Sequence, residues 1–226
     1  SADRSAGAAA ALATVRLAAA LRARDAHGAR TYLVGVDFSG NPTKGSFAAC
    51  AAAFGEARAA GLLVAAHVAE VDDADDTTAV LDFGADRLGH ALRLPRAHRA
   101  AIRAARPPVE ICPTSNCKTL GLGRRVGLRA HPTLRFWLAR GHPVSINTDD
   151  AGVFATSASR ELARVALEAY PLRFLRAEAV VALSAAPLDH AFEPADSGAM
   201  RAIRAEFAAE GAAALARYHE EIRGWW

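Results

Sequence analysis

Leu62-Leu63-Val64-Ala65-Ala66-His67-Val68-Ala69-Glu70 is the stretch on which the reading of this chain turns. An apolar run ends in a histidine, and a carboxylate follows three positions later. A short apolar run bounded by polar residues reads as a strand buried on both faces, the kind found in a parallel sheet covered by helices. Ligands and acid/base groups suit the carboxyl end of such a strand, because the strand fixes the backbone while its end opens onto a cleft. Val144-Ser145-Ile146-Asn147-Thr148-Asp149 repeats the pattern and closes on a carboxylate, with a second, Asp150, behind it. The pair His67 and Asp149 therefore predicts an enzyme or part of one.

Outward from these two segments the chain alternates. Leu12, Val15, Ala19 and Arg22 lie at helical spacing in a helix over Leu12 to Asp25, and Gly28 breaks it before the strand Tyr32-Leu33-Val34-Gly35-Val36-Asp37-Phe38. Helices are predicted over Phe47 to Ala60, Thr77 to Phe83, Ala97 to Ala105 and Thr133 to Arg140. Between them fall the strands Leu62 to His67, Arg87 to His90, Val109 to Cys112 and Val144 to Thr148. Strands alternating with helices give an α/β architecture. After Asp150 only helices follow, over Ala158 to Tyr170, Ala177 to Leu183 and Ala199 to Arg223, so the strand before Asp149 is expected to be the last. No linker or internal repeat interrupts the chain, which predicts one domain over residues 1–226.

Composition narrows the class. With 226 residues, 52% of them hydrophobic, the chain can bury a sizeable core. The net charge of +3 comes almost wholly from arginine, since Lys44 and Lys118 are the only lysines, and the charges are scattered among Ala and Leu. No nucleic-acid-binding pattern accompanies them, so nucleic acid is not an expected partner. No apolar stretch is read as a membrane span, and the Ala/Arg-rich start is read as a helix rather than a transit peptide because Asp3 and Asp25 interrupt it. Cys50, Cys112 and Cys117 are odd in number and lie in apolar or turn contexts, which predicts buried thiols and a reducing, cytoplasmic setting.

Six segments in order carry a resemblance: Gly35-Val36-Asp37-Phe38-Ser39-Gly40, His67-x-x-Glu70, Arg87-Leu88-Gly89-His90, Cys112-Pro113-Thr114-Ser115-Asn116, His131-Pro132 and Asn147-Thr148-Asp149-Asp150. Together they resemble the adenosine deaminase family of metal-dependent hydrolases. The resemblance runs from about Tyr32 to Glu161 and implies part of a (β/α)8 barrel: about five carboxyl-terminal strands plus carboxyl-terminal helices, with the site at the strand carboxyl ends. Ser39-Gly40-Asn41-Pro42-Thr43, His67-Val68-Ala69-Glu70 and Asp150-Ala151-Gly152-Val153-Phe154-Ala155-Thr156 resemble the branch that acts on N6-methyl-AMP.

The resemblance also implies roles. The expected reaction is hydrolysis of N6-methyl-AMP to IMP and methylamine by zinc-activated hydroxide attack on purine C6, with one zinc per complete site. His67 and Asp149 are the implied zinc ligands. Glu70 is the implied proton donor to the purine ring and His90 the residue that orients or deprotonates the water. Asp150 is expected to hold the base through a ring nitrogen, and Gly40 to let the backbone approach the purine. The expected partner is a purine nucleotide or nucleoside.

Each residue also has a plainer reading. A strand-end His67 can be a hydrogen-bonded structural group, Asp149-Asp150 an N-cap pair, and Gly40 a turn glycine beside Asn41-Pro42. Asp72, Asp73, Asp75 and Asp76 read as an exposed helix start, and His27, His98, His142, His190 and His219 as solvated. Gly121-x-Gly123 lacks the setting of a phosphate loop.

One departure stands out. The family's opening strand ends in His-x-His, supplying two more zinc ligands, and no two histidines here are separated by one residue. Five strands also do not close an eight-stranded barrel. The chain, starting at Ser1, is therefore expected to lack the first three strands, to bind zinc weakly and to be inactive alone. The sheet edge near Tyr32 to Phe38 is expected to be open to self-association. Adenosine deaminase activity, or an inactive remnant that binds a partner chain or nucleotide, are the alternatives, and an upstream His-x-His would separate catalyst from remnant.

Overall fold

Phe38 is the centre of the first packed core. It lies fully buried in β2 (Gly35–Ser39), with the rings of Phe47 and Phe54 edge-on at 5.1 Å and 5.7 Å. Phe47 and Phe54 are two helical turns apart on α2 (Phe47–Ala59), so one face of that helix meets the sheet. Ser46 caps α2 by accepting the Ala49 N–H. The structure is a computed structural model that describes residues 1–25, 33–123, 127–169 and 176–223. His27, Gly28, Tyr32 and Tyr170 of the sequence reading lie outside these residues.

The chain divides into two compact units, Ser1–Glu110 with Arg140–Pro143, and Ile111–Ala139 with Val144–Trp226. In the first unit strand order follows chain order from β1 to β5. In the first unit β1 (Ala2–Asp3), β2, β3 (Leu63–Val68), β4 (Arg87–His90) and β5 (Val109–Ile111) pair in parallel, with Val36 opposite Val64, Ala66 opposite Leu88, and Leu88 opposite Val109. Val36, Val64, Ala66, Leu88 and Val109 share one face of the sheet and are all buried, whereas Asp37, His67, Arg87 and Glu110 on the opposite face are half-buried, so the expected burial of both faces holds for one face only. The helices α1 (Gly7–Asp25), α2, α3 (Ala74–Phe83) and α4 (Arg96–Ala105) separate them. Asp73 caps α3 through the Asp76 N–H, and Gly84, left-handed at φ 71°, ends it.

The second unit holds α5 (Pro113–Thr119), α6 (Leu134–Leu138), β6 (Val144–Ile146), α7 (Ala151–Phe154), α8 (Ala158–Glu168), α9 (Ala177–Ala185) and α10 (Gly198–Arg223). Its core gathers Leu128, Leu134, Trp137 and Val165, all fully buried. The Asn147 N–H donates to Ile111 O just past β6.

Several expectations need correcting. Five strands were legible, and β1 makes a sixth: Ala2 pairs with Phe38 and Asp3 with Ser39 on the edge expected to be open. Two residues are too few to show an alternation. Asp76 is not part of an exposed helix start but is buried, accepting from the Phe47 N–H at 2.5 Å and from Arg4 Nη2 at 2.5 Å. His142 is buried rather than solvated, its Nε2 donating to Pro107 O at 2.9 Å. Arg4–Arg24 forms a helix apolar and long enough to cross a membrane by length and composition, a run obscured in the sequence by its alanines and arginines. Its Ala11, Val15 and Ala18 are buried, and Arg16 bonds Glu56 of α2 at 2.9 Å. The three cysteines are buried and form no disulfide, as expected.

Candidate active site

In the first unit β3 and β4 run side by side with His67 opposite Gly89 and Val68 opposite His90. A Cβ on Gly89 would stand 3.3 Å from His67 Cα, Cγ and Nδ1, so the glycine of Arg87-Leu88-Gly89-His90 makes room for the His67 ring. The His67 and His90 rings lie 4.9 Å apart at 64°. His90 is buried, and its Nε2 is 3.8 Å from Glu70 Oε2. Thus His67, His90 and Glu70 come together at neighbouring strand ends.

Asp37 of β2 anchors the group. Its Oδ1 accepts from His67 Nδ1 at 3.2 Å. Burial disfavours the imidazolium, yet the hydrogen bond and charge of Asp37, reinforced by Glu70 and Glu110, raise the His67 pKa from 6.5 to about 9. With Nδ1–H directed at a carboxylate, Nε2 is the nitrogen left for a metal, the arrangement that second-sphere carboxylates impose on ligating histidines. Metal binding there displaces the Nε2 proton. In the sequence Asp37 stands inside an apolar strand and one of the six motifs, with no role assigned to it.

The backbone at these ends is bent. Ala69, His90 and Ala91 are left-handed at φ 54°, 60° and 49°. Such residues cost about 1 to 3 kcal/mol each and persist where surrounding structure holds them. Here Arg93 N–H donates to Ala69 O at 2.7 Å and Ala91 N–H to Val68 O at 3.1 Å. The turn at Ala69 separates His67 from Glu70.

Gly40, at φ 102°, follows β2. A Cβ there would meet Asp3 Oδ1 at 2.1 Å, and Asn41 Oδ1 accepts from Thr43 N–H and Oγ1. Its turn and its contact with Asp3 already require a glycine.

Asp149 and Asp150 belong to the second unit and are exposed. β6 ends at Ile146, so Asp149 lies beyond the strand, left-handed at φ 57°. Asp150 occupies the N-cap position of α7, yet its side chain makes no cap hydrogen bond. The plain capping reading therefore leaves its carboxylate unexplained.

The remaining motifs form a hydrogen-bonded frame in the same unit. Asn116 Oδ1 accepts from Cys112 N–H at 3.2 Å and from His131 Nε2 at 3.1 Å. His131 Nδ1 accepts from Thr133 N–H and Leu134 N–H, so Nε2 carries the proton. His131 thus caps α6 and ties it to Asn116 of α5.

The family model described as Adenosine deaminase matches residues 3–201. The chain belongs to the adenosine deaminase family. Among family members it is 34% identical to the N6-Methyl-AMP deaminase of Danio rerio over 72% of this chain and 46% of that protein. It is 38% identical to an Adenosine deaminase-like protein of Drosophila pseudoobscura pseudoobscura, over 57% of this chain and 37% of that one. The structure of Arabidopsis ADAL complexed with IMP superposes with a TM-score of 0.80 at 30% identity, covering 92% of this chain and 56% of the other. The chain thus spans less than half the length of these two curated relatives and about half of that structure. Membership and superposition identify the α/β architecture as part of the family's barrel-type fold.

Proposed function

We propose that this chain carries part of the active site of a purine deaminase that hydrolyses N6-methyl-AMP to IMP and methylamine. The observation that carries the reading is His67, held by Asp37 with His90 and Glu70 beside it at neighbouring strand ends. The nucleotide preference is supported by the relative named N6-Methyl-AMP deaminase and by the neighbour complexed with IMP.

In this reading water adds to purine C6, the C6–N6 bond breaks, and the amine leaves with a proton. His67 and Asp149 are the residues that would hold a zinc ion, which would lend that water Lewis-acid activation at neutral pH. Glu70 delivers a proton to the ring nitrogen as the water oxygen adds, and His90 orients the water or takes its proton. Asp150 holds the base through a ring nitrogen, and the backbone at Gly40 lies along the purine. Two donors fall short of the three that catalytic zinc normally takes, so affinity of this chain by itself is expected to be weak.

The test is to load zinc and supply N6-methyl-AMP and adenosine in parallel. The chain is assayed alone and joined to the amino-terminal portion of the Danio rerio relative. IMP and methylamine forming faster than inosine is the expected result. Faster inosine formation replaces the nucleotide reading with adenosine deamination, and no purine product in either form removes the deaminase reading.

A further inference from the structure

Glu161 is fully buried on α8, yet none of the proposed chemistry uses it. Its Oε2 accepts the Thr114 N–H at 2.8 Å, and its Oε1 accepts the hydroxyls of both Thr114 and Thr156. Arg164, one turn further along α8, donates from Nη1 to Thr114 Oγ1 at 2.7 Å, consistent with that hydroxyl spending its own proton on Glu161. Arg164 is itself fixed by Glu168 through two bonds of 2.9 Å.

Thr114 is the second residue of α5, two residues after Cys112. Thr156 ends the segment that begins at Asp149, and its N–H closes that segment by donating to Ala151 O at 3.1 Å. The segment has left-handed residues at both ends, Asp149 at φ 57° and Ala155 at φ 51°. Two such residues need an outside restraint to keep one conformation. A buried carboxylate with three donors is a strong restraint, because losing any one donor leaves part of its charge unsatisfied.

We propose that Glu161 is a positioning residue: it ties Thr156 to Thr114 and so sets where the loop places Asp149 and Asp150. The tie itself stands on geometry within the second unit, whereas its consequence for turnover rests on the deaminase reading above.

Thr156→Val keeps the shape and removes the hydroxyl, and Thr156→Ser keeps the hydroxyl. Amide exchange in the 226-residue chain at Phe154 and Thr156, whose N–H groups bond Asp150 O and Ala151 O, reads the loop without substrate or metal. Thr156→Val should speed exchange at both by about tenfold or more, while Thr156→Ser stays within about twofold of wild type. Glu161→Gln should also speed exchange. Equal protection in Thr156→Val and wild type overturns the tie, as does a serine variant that exchanges as fast as the valine one.

In the deaminase assay, Thr156→Val should lower kcat about tenfold with an unchanged circular dichroism spectrum, and Thr156→Ser should restore it. A valine variant with the exchange effect but wild-type kcat overturns positioning of the site. Absence of deamination by the wild type both alone and joined to the amino-terminal portion counts against the deaminase reading and the proposed effect on turnover, and the exchange measurement then decides the tie by itself.

Discussion

His67 and Asp37 are joined across neighbouring strands by a 3.2 Å hydrogen bond in which the imidazole Nδ1–H donates to the carboxylate. The bond gives the first unit a pH dependence. His67 has its pKa raised from 6.5 to about 9 in the fold: burial opposes the proton, and the bond and charge of Asp37 more than offset it. A folded-state pKa above the unfolded value stabilises the fold fully below about 6.5, and that contribution is lost as pH rises through about 9. In metal-free protein, urea unfolding at pH 6 and pH 9.5 should show wild type losing on the order of 2 to 3 kcal/mol more than Asp37→Asn across that window. Parallel pH profiles for the two proteins would show that the pair is not coupled to folding.

Glu70 sits 3.8 Å from His90 Nε2 and beyond the left-handed turn at Ala69. If Glu70 delivers the ring proton, Glu70→Gln should lower kcat by about 10² to 10⁴ while bound zinc, measured by atomic emission, is unchanged. Turnover at the wild-type rate removes Glu70 from the chemistry. Loss of zinc together with turnover would instead make it part of the metal site.

The sequence made five strands and most of the helices legible because each strand carries a short apolar run and several helices are bounded by a cap or a turn, as at Ser46, Asp73 and Gly84, whereas the short α5 and α7 were not read from it. Boundaries drifted where strands are short: β6 stops at Ile146, and Asp149 proved to lie in a turn rather than at a strand end. β1 was illegible since its two residues carry no period, and its partners Phe38 and Ser39 are distant in the chain. The choice of His67, Glu70 and His90 rests on the ordered motifs that carry the family resemblance, and the structure brings the three side by side. Asp37 as their anchor, and Glu161 as the tie between Thr114 and Thr156, depend on contacts 30 and 47 residues apart in the chain that no local pattern encodes.

Arg4 and Asp76 form a buried ion pair that fastens β1 to the start of α3. Arg4 is 3% and Asp76 6% exposed, and Asp76 also takes the Phe47 N–H. Removing one member of a buried pair leaves the other charge desolvated, so Arg4→Met should cost about 3 to 5 kcal/mol in chemical denaturation. Adding Asp76→Asn to that variant should return part of the loss, because the second charge is gone while an amide oxygen still accepts from Phe47. A single-variant cost below about 1 kcal/mol would mean that the pair is solvated in solution.

Gly40 and Gly45 flank the loop after β2, and both face the amino-terminal segment. A Cβ on Gly45 would lie 2.2 Å from the backbone oxygen of Arg4, which cannot move without lifting β1. At Gly40 the obstacle is Asp3 Oδ1 at 2.1 Å, the end of a side chain able to rotate away. Both glycines have positive φ, 102° and 66°, so each alanine carries backbone strain in addition. Gly45→Ala should therefore destabilise more than Gly40→Ala, by about 2 kcal/mol or more against about 1. The comparison also separates the two readings of Gly40. If the glycine serves only the turn, Gly40→Ala lowers the unfolding midpoint and leaves KM for N6-methyl-AMP unchanged. If the backbone at Gly40 lies along the purine, KM rises severalfold at temperatures where the variant is fully folded, and Gly45→Ala, tested under the same conditions, does not share the effect.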